Sequence, residues 1–469
     1  MSTATRRAIA AVLVVGAIVA LFVAFSGGGS NSGSSATAAA TTPMWSVRRV
    51  PEPVVDAVGE QRLQAALDAA APGAGTCFVV KTGAHTIAAH NPDTPLLGAS
   101  TQKVLVAAAA LSILGPDFTY QTKVVAPAAP ADGTVDRIWL VGSGDPVLTT
   151  GDYASFLQSQ GKTHGDVTTS LEALADAVVA KGVQRIPGGV VADDSRYDNV
   201  RYLPTWKDTY RTDGEVGPLG ALTVNDGYSA WAPNRKVPVD DPARNAATRF
   251  AELLRSRGVD VGSSPSTSGG GGKAPADAVE LAQVTSPNLR SIVASMLASS
   301  DNLTAELLTK ELGVHTAKVG STAAGVAATT AKLGELGVPI AAGALKDGSG
   351  LDRGNQVTCD ELVATLALAD RPELATLFDG LPVAGQNGTL FDQFLGTALA
   401  GNFRGKTGSL DGVSGLTGVL DLGRQLRFAF LDNGDFTDAQ AGAIRVRIGD
   451  IVGTFPDAPP VDALVPAPQ

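Results

Sequence analysis

The chain is poor in the residues that build metal and disulfide chemistry. Its 469 residues contain two cysteines, Cys77 and Cys359, and four scattered histidines, His85, His90, His164 and His315. Two cysteines cannot supply a disulfide framework or a thiolate zinc site. The histidines show neither an HExxH pattern nor a comparable metal-binding spacing. Positive charge is scarce too. With a net charge of -10, no basic patch is available to neutralise phosphates, which disfavours a nucleic-acid partner. No Gly-x-Ser-x-Gly elbow occurs, which disfavours a Ser-His-Asp hydrolase. No internal repeat is evident. The expected chemistry needs no metal and no organic cofactor.

What is present is ordinary for a globular protein, with 44% hydrophobic and 17% charged residues. The length predicts two or three domains. Arg6-Arg7 precede an apolar run from Ala8 to Phe25, which at about 1.5 Å rise per residue just spans a hydrocarbon core. The positive flank predicts a cytoplasmic N-terminus. Residues 1–25 thus read as an uncleaved membrane anchor, with a cleaved signal peptide as the rival. Either one places the rest of the chain outside the cytoplasm. There a Cys77–Cys359 disulfide is permitted, although two separate buried thiols fit equally well. Residues 26–43 read as a flexible Gly/Ser/Ala/Thr tether spanning roughly 20–25 Å. Residues 455–469 read as a disordered Pro-rich tail.

The folded body is expected from about Trp45. Ser46–Ala71 reads as helical, with Leu63, Ala66, Leu67 and Ala70 at helical spacing. Residues 77–80 and 86–89 read as two strands joined by a turn.

Three short motifs follow in order. Ser100-Thr101-Gln102-Lys103 opens a helix that is apolar nearly all round, Val104 to Leu111, the mark of a buried central helix. Ser100 and Lys103 are three apart and share a face. The first helical turn offers free N–H groups, and a buried lysine can lose its proton and act as a base. Ser300-Asp301-Asn302 lies between two helical patterns, 289–297 and 303–312. A loop there would point the Ser300 hydroxyl and the Asn302 amide into a cleft, unless Ser300 or Asp301 simply caps the second helix. Lys406-Thr407-Gly408-Ser409 opens a strand, followed by strands at 413–422 and 426–431. Lys406 and Thr407 suit a carboxylate, and Gly408 would let a ligand backbone lie close against the strand. Decoys of each motif occur. Ser159–Lys162 contains Gly161, Ser286-Pro287-Asn288 is marked as a turn by proline, and Lys81-Thr82-Gly83 sits in the early hairpin.

The order of the three motifs is that of penicillin-binding proteins and class A β-lactamases. In detail the sequence resembles the class C low-molecular-mass penicillin-binding proteins, the D-alanyl-D-alanine carboxypeptidases of the penicillin-binding protein 4 type (peptidase family S13). Residues 97–104, 140–146, 347–351, 381–385 and 388–390 carry the likeness. The resemblance implies an α+β fold of the penicillin-binding/β-lactamase-like serine transpeptidase type, with helices packed on an antiparallel sheet. It further implies a discontinuous catalytic domain, 44–117 with 284–454, interrupted by one or two inserted domains over 118–283. Strands at 120–126, 135–141 and 190–193, helices at 168–181 and 242–257, and a Ser/Gly-rich loop at 263–272 fall in that insertion.

The implied function is removal of the terminal D-Ala from peptidoglycan stem pentapeptides through an acyl-enzyme on Ser100. Lys103 would be the base, Ser300 the proton relay and Asn302 the group that orients Lys103 and the substrate amide. The backbone N–H groups of Ser100 and Ser409 would form the oxyanion hole. Lys406, Thr407 and Ser409, on the strand containing Gly408, would hold the terminal carboxylate. β-Lactams would acylate the same serine. The nearest rival is a DD-endopeptidase that cuts peptidoglycan cross-links with the same site. A β-lactamase is disfavoured because no Glu-x-x-Leu-Asn segment lies between Asn302 and Lys406. A non-catalytic wall-binding protein is disfavoured by the intact motifs. No role can be read for Asp226 or Arg353.

Overall fold

The computed structural model describes residues 52–71, 73–160, 167–262 and 272–457. The expected anchor, the tether, residues 263–271 of the Ser/Gly-rich loop and the tail from residue 458 lie outside the described residues. Among the described residues no helix is long and apolar enough to cross a membrane.

Helix α1 (Glu52–Ala70) leads into a hairpin of β1 (Thr76–Thr82) and β2 (His85–His90). A 3₁₀ turn, Ala99–Gln102, then runs into α2 (Lys103–Leu114). Next come β3 (Gln121–Ala126), β4 (Ile138–Val141), α3 (Leu171–Ala180), β5 (Val190–Asp193), α4 (Pro242–Ser256) and β6 (Val279–Thr285). Helices α5 (Leu289–Ser299), α6 (Asn302–Ala317), α7 (Thr322–Glu335) and α8 (Cys359–Ala367) follow. The meander β7 (Phe403–Leu410), β8 (Val413–Asp421), β9 (Gln425–Asn433) and helix α9 (Asp438–Gly453) complete the described chain.

One five-stranded sheet has the order β7-β8-β9-β1-β2, antiparallel throughout. Strands from residues 76–90 and 403–433 therefore meet in one sheet, and β7 forms its edge. Alternation along the strands sorts side chains into two cores, because successive residues face opposite sides. Cys77 and Val79 of β1 and Ala429 and Leu431 of β9 pack with α2, α5, α6 and α8. Phe78 and Val80, with Phe428 and Phe430, pack on the other side with α1 and α9. Each of the buried Val, Leu and Phe side chains among these contributes roughly 1.5–3 kcal/mol. Helix α2 lies in the middle of the first core, with Val104 to Leu111 buried on every side. Cys77 and Cys359 are joined by a disulfide that ties β1 to the start of α8.

A second sheet, ordered β6-β3-β4-β5, is antiparallel except for its β4–β5 pair. It packs with α3 and α4 around an apolar core whose members all lie between Val124 and Ala282. At the C-terminal end the packed chain continues past α9. Phe455 is buried with α1 in the second core of the first sheet, and the Pro456 backbone lies against Gly59.

Candidate active site

The segment expected to carry the nucleophile does not begin as an α-helix. Ala99 to Gln102 is a 3₁₀ turn, with Ala99 at φ +46°, and the α-helix starts at Lys103. In a 3₁₀ turn residues three apart are eclipsed, so the Ser100 and Lys103 side chains stack. Lys103 Nζ lies 2.7 Å from Ser100 Oγ, 2.6 Å from Asn302 Oδ1 and 2.8 Å from the Ser349 carbonyl. Lys103 is fully buried. Burial pushes its pKa down to about 8, against the opposing pull of Asp301, Asp347, Glu306 and Glu215.

The second motif is a joint between two helices. Ser300 ends α5 in the left-handed conformation at φ +62°, which turns the chain back on itself. Asp301 caps α6 by accepting the Thr304 N–H, and Asn302 is its first residue. The helix-capping reading of Asp301 is thus correct, and the cap is also what delivers Ser300 and Asn302 to the cleft. The Asn302 amide NH₂ donates to the Glu215 carbonyl at 2.8 Å. That leaves Oδ1 facing Lys103.

The third motif lies on the edge strand β7. Lys406 is fully buried, and its Nζ donates to Ser300 Oγ at 2.8 Å and to the Thr407 carbonyl at 2.9 Å. Burial, then the charges of Lys103 and Arg445, hold its pKa well below the ordinary lysine value. Thr407 Oγ1 lies 3.2 Å from Thr389 Oγ1. Ser409 is exposed, and its Oγ accepts from the Arg445 guanidinium of α9 at 2.8 Å. Gly405 N–H donates to Pro382, and the Phe403 carbonyl accepts from Ala384, both on the side away from β8. With a period of two, Thr407 and Ser409 turn their backbone groups the same way, toward the open edge. Gly408 also meets a packing demand that the sequence does not show. A Cβ there would lie 2.4 Å from the Gly98 carbonyl, so its bareness lets the strand pack on the Ala99–Gln102 turn.

Ser100, Ser300, Asn302, Thr407 and Ser409 line one cleft of about 620 Å³, together with Tyr210 and Glu215. Lys103 and Lys406 sit beneath it. A chamber of about 320 Å³ adjoins, sharing Glu215, Ser299, Ser300 and Asn302 and reaching Asp226 and Lys236. Asp226 accepts from Tyr153 OH at 2.6 Å, and Arg353 holds the Asp411 carbonyl at 3.0 Å. The decoys stand apart. Lys81 pairs with Asp360, and Ser286 bridges Tyr120 and Pro287. Ser159 Oγ donates to the Phe156 carbonyl, while Lys162 lies outside the described residues.

Residues 60–236 and 230–451 match the D-Ala-D-Ala carboxypeptidase 3 (S13) family. The chain belongs to that family. It is a serine-type D-Ala-D-Ala carboxypeptidase with the fold of the penicillin-binding proteins. It is 32% identical over 440 residues to the D-alanyl-D-alanine carboxypeptidase of Actinomadura sp. (strain R39), covering 76% of this chain and 78% of that protein. It is 34% identical over 351 residues to a carboxypeptidase of Mycobacterium tuberculosis, covering 73% and 72%. The crystal structure of penicillin-binding protein 4 from Haemophilus influenzae superposes with a TM-score of 0.68 at 21% identity, over 86% of this chain and 99% of that one.

Four contacts of this S13 carboxypeptidase escaped the sequence reading: the Glu215 and Ser349 carbonyls, Thr389 and Arg445. Thr389 and Ser349 fall in segments already marked by the family likeness. Backbone carbonyls carry no side-chain signal, and Arg445 becomes relevant only once α9 packs behind β7.

Proposed function

We propose that Ser100, Lys103, Ser300 and Asn302 carry the D-Ala-D-Ala carboxypeptidase reaction and that β7 binds the substrate's terminal carboxylate. The observation behind this is the placement of Lys103 Nζ between Ser100 Oγ, Asn302 Oδ1 and the Ser349 carbonyl, each at 2.6–2.8 Å. Ser100 Oγ attacks the carbonyl carbon of the penultimate D-Ala while its proton passes to neutral Lys103. The N–H groups of Ser100 and Ser409 hold the oxyanion. As the peptide C–N bond breaks, the Ser300 hydroxyl gives its proton to the departing amine and is reprotonated from the lysine pair. Water then cleaves the ester and restores Ser100. Thr407 and Ser409 contact the carboxylate, with the charges of Lys406 and Arg445 behind the strand. A β-lactam, with a comparably placed carboxylate and a strained amide, acylates the same oxygen.

The test is intact-mass measurement after exposure to a penicillin, with peptide mapping. The wild type gains one adduct on residues 100–103, and Ser100→Ala gains none while keeping its melting temperature. Labelling that persists in Ser100→Ala removes Ser100 from this role.

The chamber beside Ser300 leaves room for a longer leaving group, which favours DD-endopeptidase cleavage of cross-links as a second activity of the same site. Release of free D-Ala compared with loss of dimeric muropeptide separates the two. Residues 118–283 are best read as the inserted part, since the second sheet has a core of its own. The Cys77–Cys359 disulfide supports a site of action outside the reducing cytoplasm. The apolar run 8–25 supports anchoring at the membrane, and detergent-dependent release from a membrane fraction tests it.

A further inference from the structure

The three partners of Lys103 Nζ differ in chemistry. Asn302 Oδ1 and the Ser349 carbonyl only accept hydrogen bonds, whereas Ser100 Oγ can give up a proton. A neutral amine has two N–H groups and one lone pair. When the two carbonyl oxygens take both N–H groups, the lone pair is left facing the Ser100 hydroxyl. The Ser349 carbonyl therefore helps decide where the base points.

What holds that carbonyl is a carboxyl group. Glu306 Oε1 accepts the N–H groups of Gly348 at 2.9 Å and Ser349 at 2.7 Å. Glu306 follows Asn302 by four residues on α6, so both leave one face of the helix. Asn302 reaches Lys103 directly, and Glu306 reaches it through the backbone of Ser349, holding its N–H while its carbonyl meets the lysine. Gly348 lies flat on the same helix, where a Cβ would stand 2.0 Å from Thr309 Oγ1. Asp347 fastens the rest of the loop, accepting from Gly350 N–H at 2.9 Å, Asn355 Nδ2 at 2.8 Å and Trp206 Nε1 at 2.9 Å. Glu306 is fully buried, and its Oε2 has no hydrogen-bond partner among the described residues. An unsatisfied buried oxygen of this kind costs stability. A role in folding alone does not explain why a carboxyl group stands there.

We propose that Glu306 is a positioning residue for acylation: by gripping the Gly348 and Ser349 N–H groups it sets the Ser349 carbonyl against Lys103 and so aims the lysine lone pair at Ser100. The inference rests on Ser100 and Lys103 being nucleophile and base. The charged groups facing Lys103 are Asp301, Asp347, Glu306, Glu215 and Lys406. Those facing Glu306 are Asp347 and Lys103. Burial and Asp347 push the Glu306 carboxyl up to about 8, so it ionises over the same pH range as Lys103. When ionised it favours the ammonium form of its neighbour.

The test compares wild type, Glu306→Ala and Glu306→Gln by the second-order rate of acylation by a fluorescent penicillin, per folded molecule, across pH. Glu306→Ala, which removes the grip, is expected to acylate about 30-fold more slowly. Glu306→Gln keeps an amide oxygen for the same two N–H groups and should stay within about threefold of wild type. Its acid limb should move to lower pH, because a neutral neighbour no longer favours the lysine ammonium. Acylation of Glu306→Ala at the wild-type rate overturns the proposal. If that variant does not fold, superimposable pH profiles for Glu306→Gln and wild type overturn it instead. A wild-type protein that takes no label at Ser100 would sink the functional reading itself, which is a separate outcome.

Discussion

The proposed role of buried Lys103 as base makes the pH dependence of acylation the sharpest consequence of the structure. Lys103 would ordinarily lose its proton near 10.5, and burial brings this to about 8. At pH 7 the neutral fraction is then about one in ten, against about one in three thousand for an unburied lysine, a gain of about 300-fold in free base. The acylation rate of the wild type should therefore rise about eightfold to tenfold between pH 7 and pH 9 and then level off. Stopped-time labelling with a fluorescent penicillin, corrected for hydrolysis of the free drug, measures it directly. The same shift acts on stability. The folded-state value lies below the unfolded one, so the unfolded chain binds the extra proton between about pH 8 and pH 10.5. This lysine thus makes the fold less stable at neutral pH, by about 3 kcal/mol, and relieves that cost as pH rises through the window. Lys406, also depressed, acts in the same direction. A rate that is flat from pH 6 to pH 9, or that climbs only above pH 10, would refute the idea of a desolvated lysine base.

Two further outcomes follow from packing. Cys77 and Cys359 close a loop of 282 residues, so replacing both with serine should cost about 2–5 kcal/mol in urea unfolding. Penicillin labelling of the folded variant should persist, since the bridge lies in the core beside α2 rather than in the cleft. Gly408→Ala forces a Cβ toward the Gly98 carbonyl, a backbone atom that cannot rotate aside. The strand must move off the Ala99–Gln102 turn, at a cost of about 1–3 kcal/mol. Acylation slowed at least tenfold, measured by the same labelling, is the expected result, and an unchanged rate would show that β7 and the turn can separate freely.

Much of this protein was legible without coordinates. The run Cys77, Phe78, Val79 and Val80 marked a strand, and the unbroken apolar run 104–111 marked a central helix. Ser100 and Lys103 could be paired because their spacing is local. The order of three motifs, with several intervening segments, identified the family. These inferences depend on residue type and short separation, which are written in the chain itself. The folded arrangement decided the rest. Whether Cys77 meets Cys359, why Gly408 must lack a side chain, and which carbonyls hold Lys103 and Asn302 all depend on segments far apart in sequence. Glu215, Ser349 and Arg445 enter the site through backbone oxygens or through a helix packed behind a strand. Such contacts arise only when burial brings distant surfaces together, and no local pattern announces them.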